Sequence, residues 1–248
     1  MEGVKEHYER LLARHYTWMF GKSFDEKVSE QKALLEGALH GSGISSFDGL
    51  AVDLACGPGY QSIALAQLGF SPVVAIDTSA TLLDELRTHA HELPIQVVED
   101  DIVHLDQHIG AESAQVIVCM GDSITHLENR GAVLNVLRVC AKALVPGGAL
   151  IITYRDLSNE LHGLDRFIPV HSDDERVMTC FLEFDETENV LVHDLVYTRD
   201  DSGWNFEKSS YRKLRLPAES LESAISSVGL DVSRGAAGRL VQLVGTKP

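Results

Sequence analysis

Residues 52–61 read VDLACGPGYQ. Gly57 and Gly59 flank a proline, Asp53 stands four residues before the first of them, and the apolar run LAVDLA leads in. A loop of this kind lets a backbone come close to a ligand. That ligand is a phosphate, a dinucleotide, or a group that carries no phosphate. A Walker-type phosphate loop needs Lys and Ser/Thr after its second glycine. Here Tyr60 and Gln61 follow, so that reading fails. A dinucleotide loop wants a third glycine at position 62, which is Ser62. Gly57-Pro58-Gly59 alone is a weak signal.

Outward from the loop, the chain alternates strand-like and helix-like runs. LAVDLA is followed by QSIALAQLG, which is helical. PVVAID is a second strand. SATLLDELRTHAHEL has the spacing of an amphipathic helix with Ser79 as its N-cap. IQVVED and AQVIVCM are the third and fourth strands, NRGAVLNVLRVCAKALV is a helix ended by Pro146-Gly147-Gly148, and ALIITY is the fifth strand. Such alternation predicts a parallel sheet with helices on both faces. Then the rhythm breaks. RVMTCFLEF, NVLVHDLVYTR and WNFEKSSYRKLRL are three strand-like runs with turn signals between them. They predict an antiparallel unit ahead of a last helix, PAESLESAISSVG, and a terminal strand, RLVQLVGTK. Residues 5–41 ahead of the first strand read as helical, with breaks at Gly21 and Gly41.

Two acids narrow the ligand. Asp53 at the end of the first strand discourages a pyrophosphate and favours a cationic group, directly or through water. Asp77 ends the second strand, 18 residues after Gly59. A carboxylate there can accept both hydroxyls of a ribose. Together they describe a nucleoside with a positively charged tail, S-adenosyl-L-methionine. Open parallel sheets bind ligands at the carboxyl ends of their strands, where both acids lie.

With these motifs the sequence resembles the class I S-adenosylmethionine-dependent methyltransferases over nearly its whole length. VDLACGPG is similar to that family's first motif, VVAID to its second, and LVPGGALII to the entry into strand five. YTWMFG, ACGPGYQSIALAQLGF, VCMGDSITHL, TYRDL and SSYRKL resemble, in the same order, segments of the glycine and sarcosine N-methyltransferase branch. The resemblance implies a Rossmann-like seven-stranded α/β sheet with an N-terminal helical cover and a small antiparallel β lid. The implied division is 1–46 cover, 47–156 core, 157–216 lid, and 217–248 completing the core. It implies methyl transfer to a nitrogen or oxygen of a small molecule. Other readings are a non-catalytic binder of the cofactor, or a methyltransferase acting on protein or tRNA.

The resemblance also assigns roles. Ala55 and Gly57 would hold the methionine amino group through their carbonyls, with Gly59 completing the loop. Asp77, with Thr78 beside it, would bind the ribose. Asp101 and Ile102 would frame adenine. Met120 would line the sulfonium region, and His126 would lie near the methionine tail. Tyr16 and Trp18 would cover the cofactor from the N-terminal helices. Where that branch has an arginine at the start of the second helix, this chain has Glu26 beside Lys27, and Lys27 is assigned to the cofactor carboxylate. His126, Arg155 and Tyr211 would face the methyl group, and Asp122 would join Arg155 and Tyr211 around the substrate.

One departure bears on the substrate. In the glycine-type enzymes an asparagine after strand four and an arginine after strand five hold the substrate carboxylate. Arg155 is kept here, but the asparagine position is Asp122. An aspartate about 4 Å from a carboxylate is repelled by roughly 4 kcal/mol at an effective dielectric near 20. Glycine and sarcosine are therefore expected to be poor substrates. Asp122 would either neutralise Arg155 or face a substrate amine or hydroxyl.

Composition bounds the rest. The 248 residues fit one large domain, and the hydrophobic share is 44%. Thirty-seven acids against 21 bases give a net charge of -16. Such a surface repels phosphate backbones, so nucleic acid is not expected as a partner. No apolar run approaches the 18 residues of a membrane span, and the charged N-terminus MEGVKEHYERLLARHY has no signal-like core. A cytoplasmic protein is expected, and the long N-terminal helices could serve a homodimer. Cys56, Cys119, Cys140 and Cys180 form no C-x-x-C pair and read as reduced thiols, Cys56 as a buried filler. His89 and His91, two apart on a helix, point to different faces. His104 and His108 read as a solvated face, and no metal site is expected.

Overall fold

The fold is described from a computed structural model covering residues 3–185 and 188–248. The chain opens with a short helix α1 (Val4–His7). It continues through a π turn (Tyr8–Leu12) and 3-10 turns (Ala13–His15, Trp18–Phe20) to helix α2 (Phe24–Gly41). The expected N-terminal helix is thus broken into short turns, because Tyr8, His15, Tyr16 and Trp18 are drawn to different partners. Gly21, in the left-handed region at φ +62°, ends the segment. Ser23 then starts α2 with a reciprocal capping box. Its hydroxyl accepts from the Glu26 N–H at 3.3 Å, and its own N–H donates to Glu26 Oε2 at 2.8 Å. Ser23→Ala should cost about 1 kcal/mol in urea unfolding. An unchanged midpoint would mean that α2 is held by its buried Phe24, Val28, Leu35 and Leu39 without the cap.

The core alternates β1 (Leu50–Leu54), α3 (Tyr60–Leu68), β2 (Val73–Asp77), α4 (Ala80–Ala90), β3 (Ile95–Glu99), β4 (Ala114–Cys119), α5 (Arg130–Ala143) and β5 (Leu144–Tyr154). These five strands are parallel, ordered β3-β2-β1-β4-β5. After the lid come α6 (Ala218–Ser227), β10 (Asp231–Ala237) and β11 (Leu240–Thr246). β11 enters antiparallel beside β5 and pairs outward with β10, giving seven strands. Alternate side chains of β1 go to opposite faces. Val52 and Leu54 join the core beneath α5 and α6, while Ala51 joins the one beneath α2, α3 and α4. Asp53 shares the face of Ala51, and this places a carboxyl under α3.

The lid is a four-stranded antiparallel sheet of β6 (Phe167–Ser172), β7 (Arg176–Phe184), β8 (Asn189–Asp200) and β9 (Gly203–Leu214), paired in chain order. The sequence reading found β7, β8 and β9 but missed β6 and β10. β6 contains Pro169, lies at an edge and is mostly exposed. Proline is tolerated only at such edges, so the pattern reads as a loop. β10, with the sequence DVSRGAA, is an exposed edge strand with no apolar alternation, and pairing with β11 alone makes it a strand. The inner lid face carries Met178, Leu182, Val190, Val192 and Val196, all buried. Leu11 and Leu12 of the π turn pack against Met178 and Val196, which clamps the N-terminal segment between core and lid. Among the described residues no helix is long and apolar enough to cross a membrane.

Candidate active site

The glycine loop joins β1 to α3 at the carboxyl edge of the sheet. Ala55, Gly57 and Gly59 have φ of +56°, +55° and +91°, so three residues in five are left-handed. Gly59 is required twice over. Besides its φ, a Cβ there would lie 2.1 Å from Leu86 Cδ1 on α4. This close approach lets the loop turn sharply onto α3.

Asp77 locks the loop from the end of β2. Its Oδ2 accepts from the Gly57 N–H and its Oδ1 from the Ser79 N–H, both at 2.8 Å. Burial raises its pKa, and the backbone N–H groups of Ser79, Gly57 and Thr78 offset part of that rise. Ser79 also caps α4 by accepting from the Leu82 N–H at 3.3 Å. Asp101 caps the 3-10 turn Ile102–Gln107 by accepting from the Val103 N–H at 3.1 Å, with Ile102 buried beside it. Met120, buried after β4, turns its carbonyl to the Ser123 hydroxyl at 3.2 Å. Asp53 is buried and accepts from the Ser62 hydroxyl of α3 at 2.6 Å. Burial pushes its pKa up to about 7, against the pull of that hydrogen bond.

The N-terminal segment reaches this edge through Tyr16. Tyr16 lies over the loop, and its ring would be 3.7 Å from a Cβ on Gly57. Trp18 turns the other way. Its indole donates to Asp173 at 2.5 Å, packs on His171 at 4.9 Å and lies under Arg176 at 4.5 Å, all on the lid. Polar partners for its N–H and a cation for its face exist there rather than at the loop. Lys27 is 3.2 Å from Glu30 and 4.6 Å above the Phe20 ring. The sequence reading missed Glu9, whose carboxylate accepts from the hydroxyls of Ser79 at 2.5 Å and Thr81 at 2.9 Å, beside Asp77.

A second polar group forms under the four-stranded sheet. Tyr211 is buried and stacks on His126 with ring centroids 5.3 Å apart. Tyr8 stands edge-on to His126 at 5.8 Å and is 6.1 Å from Tyr16, which links this group to the loop. Burial, reinforced by Lys213, pushes His126 down to about 3, so it is neutral at pH 7. Among the described residues its Nδ1 is buried without a hydrogen-bond partner.

Asp122 holds two cations. Its Oδ2 is 2.6 Å from Lys213 Nζ and 3.5 Å from Arg155 Nη1, and its Oδ1 accepts from the Arg155 backbone N–H at 2.9 Å. Burial would raise the Asp122 pKa, but Lys213 and Arg155 outweigh it and hold it below the usual carboxylate range. Lys213 corrects the charge argument made from sequence. With two cations to one carboxylate the cluster is net positive, so repulsion by Asp122 no longer excludes an acidic acceptor. The Arg155 side chain is 65% exposed, which leaves its guanidinium open to such a group. The signal for Lys213 was its parity. In SSYRKL it alternates with Tyr211 on one strand face.

Three of the histidines weighed for a metal have local partners. His89 stacks on Phe24 at 3.6 Å, and His104 and His108 both bond Asp100, at 2.8 and 2.7 Å. Cys56, Cys119 and Cys140 are buried free thiols, and Cys180 is a half-buried one.

Comparison with known proteins agrees with this geometry. Residues 51–148 match the methyltransferase domain family. A ubiquinone biosynthesis O-methyltransferase from Caulobacter sp. strain K31 is 33% identical over 125 residues, 49% of this chain and 47% of that protein. Glycine N-methyltransferase from Rattus norvegicus is 28% identical over 171 residues, 62% of this chain and 55% of that protein. The matched region thus spans about half the length of these curated relatives. The solved structure of an S-adenosylmethionine-dependent methyltransferase from Clostridium acetobutylicum superposes with a TM-score of 0.75 at 17% identity, over 97% of this chain and 96% of that one. With its strand order, its inserted antiparallel sheet and its glycine loop locked by Asp77, the chain has the fold of the class I S-adenosylmethionine-dependent methyltransferases, and residues 51–148 match their methyltransferase domain.

Proposed function

We propose that the protein transfers the methyl group of S-adenosylmethionine to an oxygen or nitrogen nucleophile of a small molecule. The observation that carries this reading is the polar group under the lid. His126, Tyr211 and the Asp122–Lys213–Arg155 cluster gather beside the cofactor loop and are joined to it through Tyr8 and Tyr16. One similar protein is named for oxygen methylation and one for nitrogen methylation, which supports the class and leaves the atom open.

The residues at the strand ends fit the cofactor. Two acids at the ends of β2 and β3, an apolar Ile102 between turn and sheet, and open glycine backbone suit a nucleoside with a cationic tail. Asp77 would take the ribose and Asp101 with Ile102 the adenine, while the Ala55 and Gly57 carbonyls would meet the amino group. The bound cofactor supplies an electrophilic methyl on a sulfonium. The chain has to align the nucleophile and exclude water, and alignment alone can be worth about 7–11 kcal/mol. Arg155 would draw an acidic group of the acceptor, and neutral His126 with Tyr211 would form one wall of its site.

Screening small amines, phenols and carboxylates for S-adenosylhomocysteine release tests this reading. Binding of the cofactor with no release for any acceptor would point to a binder instead. Asp77→Asn should weaken S-adenosylhomocysteine by about 10- to 100-fold in calorimetry, the loss of a charge-assisted hydrogen bond of about 1.5–3 kcal/mol. Affinity within twofold of wild type would remove Asp77 from the ribose site.

A further inference from the structure

We propose that His7 and Asp194 form a proton-accepting pair for the methyl acceptor, and that this acceptor is a hydroxyl compound, phenol or alcohol, bound with its proton. The proposal rests on the methyltransferase reading above. His7 is fully buried, and its Nε2 lies 2.9 Å from Asp194 Oδ2 across 187 residues of sequence. Asp194 sits on the inner lid face, and its other oxygen accepts from the Cys180 thiol at 2.7 Å, so the carboxylate is fixed at both ends. This pairing places the neutral imidazole's proton on Nε2 and leaves the lone pair on Nδ1. Among the described residues His7 Nδ1 is buried with no hydrogen-bond partner. Left unsatisfied, that buried atom costs free energy, and the hydroxyl of a bound acceptor would satisfy it.

The position is on the acceptor side. The His7 ring is 4.3 Å from Tyr211, which stacks on His126, and the string continues through Tyr8 and Tyr16 to Gly57. The other groups there accept a proton poorly. His126 has been pushed down, Lys213 is held by Asp122, and Tyr8 and Tyr211 are phenols driven further from ionisation by burial. In the step, the acceptor oxygen forms its bond to the methyl carbon while the carbon–sulfur bond breaks and its electron pair stays on sulfur. The hydroxyl proton passes to His7 Nδ1, and Asp194 balances the imidazolium. The proton leaves to solvent when the product departs.

The test compares wild type, His7→Gln and Asp194→Asn by S-adenosylhomocysteine release with phenol and with 4-nitrophenol. The former is a weak acid, and the latter is largely ionised at pH 8, where both are assayed. His7→Gln should lose about 10²–10⁴-fold in kcat/KM with phenol, and far less with 4-nitrophenol. Asp194→Asn should fall in the same direction, and S-adenosylhomocysteine affinity in calorimetry should stay within twofold. Equal losses with both phenols would reduce the pair to a structural tie and overturn the proposal. Turnover of amines but of neither phenol would also overturn it while the methyltransferase reading stands. Nitrogen NMR of histidine-labelled wild type with S-adenosylhomocysteine bound supplies a readout independent of turnover and of variant folding. A bare Nδ1 and a protonated Nε2 on His7 are expected, and the reverse tautomer would overturn the proposal even if no acceptor were turned over at all.

Discussion

Lys213→Met should destabilise the protein by about 3–5 kcal/mol, because it leaves the Asp122 carboxylate buried without its nearest cation. Both side chains are almost wholly excluded from solvent, at 7% and 6% exposure, and they meet at 2.6 Å. The second cation, Arg155, stands farther off at 3.5 Å and is largely in water, so it compensates only in part. Asp122→Asn should cost less, since an asparagine oxygen can still accept from the Arg155 N–H that Oδ1 now takes. The pH dependence follows from the direction of the Asp122 shift. A carboxyl held below its unfolded pKa contributes stability above that value and loses it as pH falls through the folded pKa. The Asp122 contribution should therefore persist from neutral pH down to about 4 and vanish below it. Urea unfolding of both variants at pH 7 measures the pair. A Lys213→Met loss under about 1 kcal/mol would mean that Arg155 alone suffices.

Lys213 also marks where the sequence stopped being readable. The glycine loop, the five parallel strands, the Ser79 cap and the acids at the strand ends are local features, set by spacing within about twenty residues, and they stand in the structure where the spacing put them. Partners far apart in the chain left no local trace. Lys213 meets Asp122 across 91 residues and His7 meets Asp194 across 187. A lysine in a strand and a histidine in a charged N-terminal segment both read as solvated until the lid folds over them. Trp18 failed for a related reason. Its sequence neighbourhood says that it is half-buried, but only the placement of Asp173, His171 and Arg176 decides against which wall. Edge strands β6 and β10 failed differently. Pairing alone makes them strands, and pairing is not encoded in their own side chains.

Asp53→Asn should flatten the fall in stability between pH 5 and pH 8. Asp53 is buried under α3, where Ser62 donates to it through its hydroxyl and its backbone N–H, and its pKa stands near 7. The unfolded chain ionises this group near 3.9. Between those values the folded state binds the proton and the unfolded state does not, so each unit of rising pH costs the folded state about 1.4 kcal/mol until Asp53 ionises. The charge therefore weakens the wild type by about 2–4 kcal/mol at pH 8, and by only about 1–2 kcal/mol at pH 5. Asparagine keeps an oxygen for the Ser62 hydroxyl and carries no charge to bury. Any fixed cost of its amide group is the same at both pH values and cancels in the comparison. Measured by urea unfolding, the stability of the variant relative to wild type should rise by about 2–3 kcal/mol from pH 5 to pH 8. A constant difference across that range would mean that Asp53 is already ionised in the folded protein. The same substitution should weaken cofactor binding if the carboxylate serves the cationic tail. The protein would then be retaining a buried carboxyl at the cost of stability because the ligand, on arrival, supplies the positive charge that the fold leaves out.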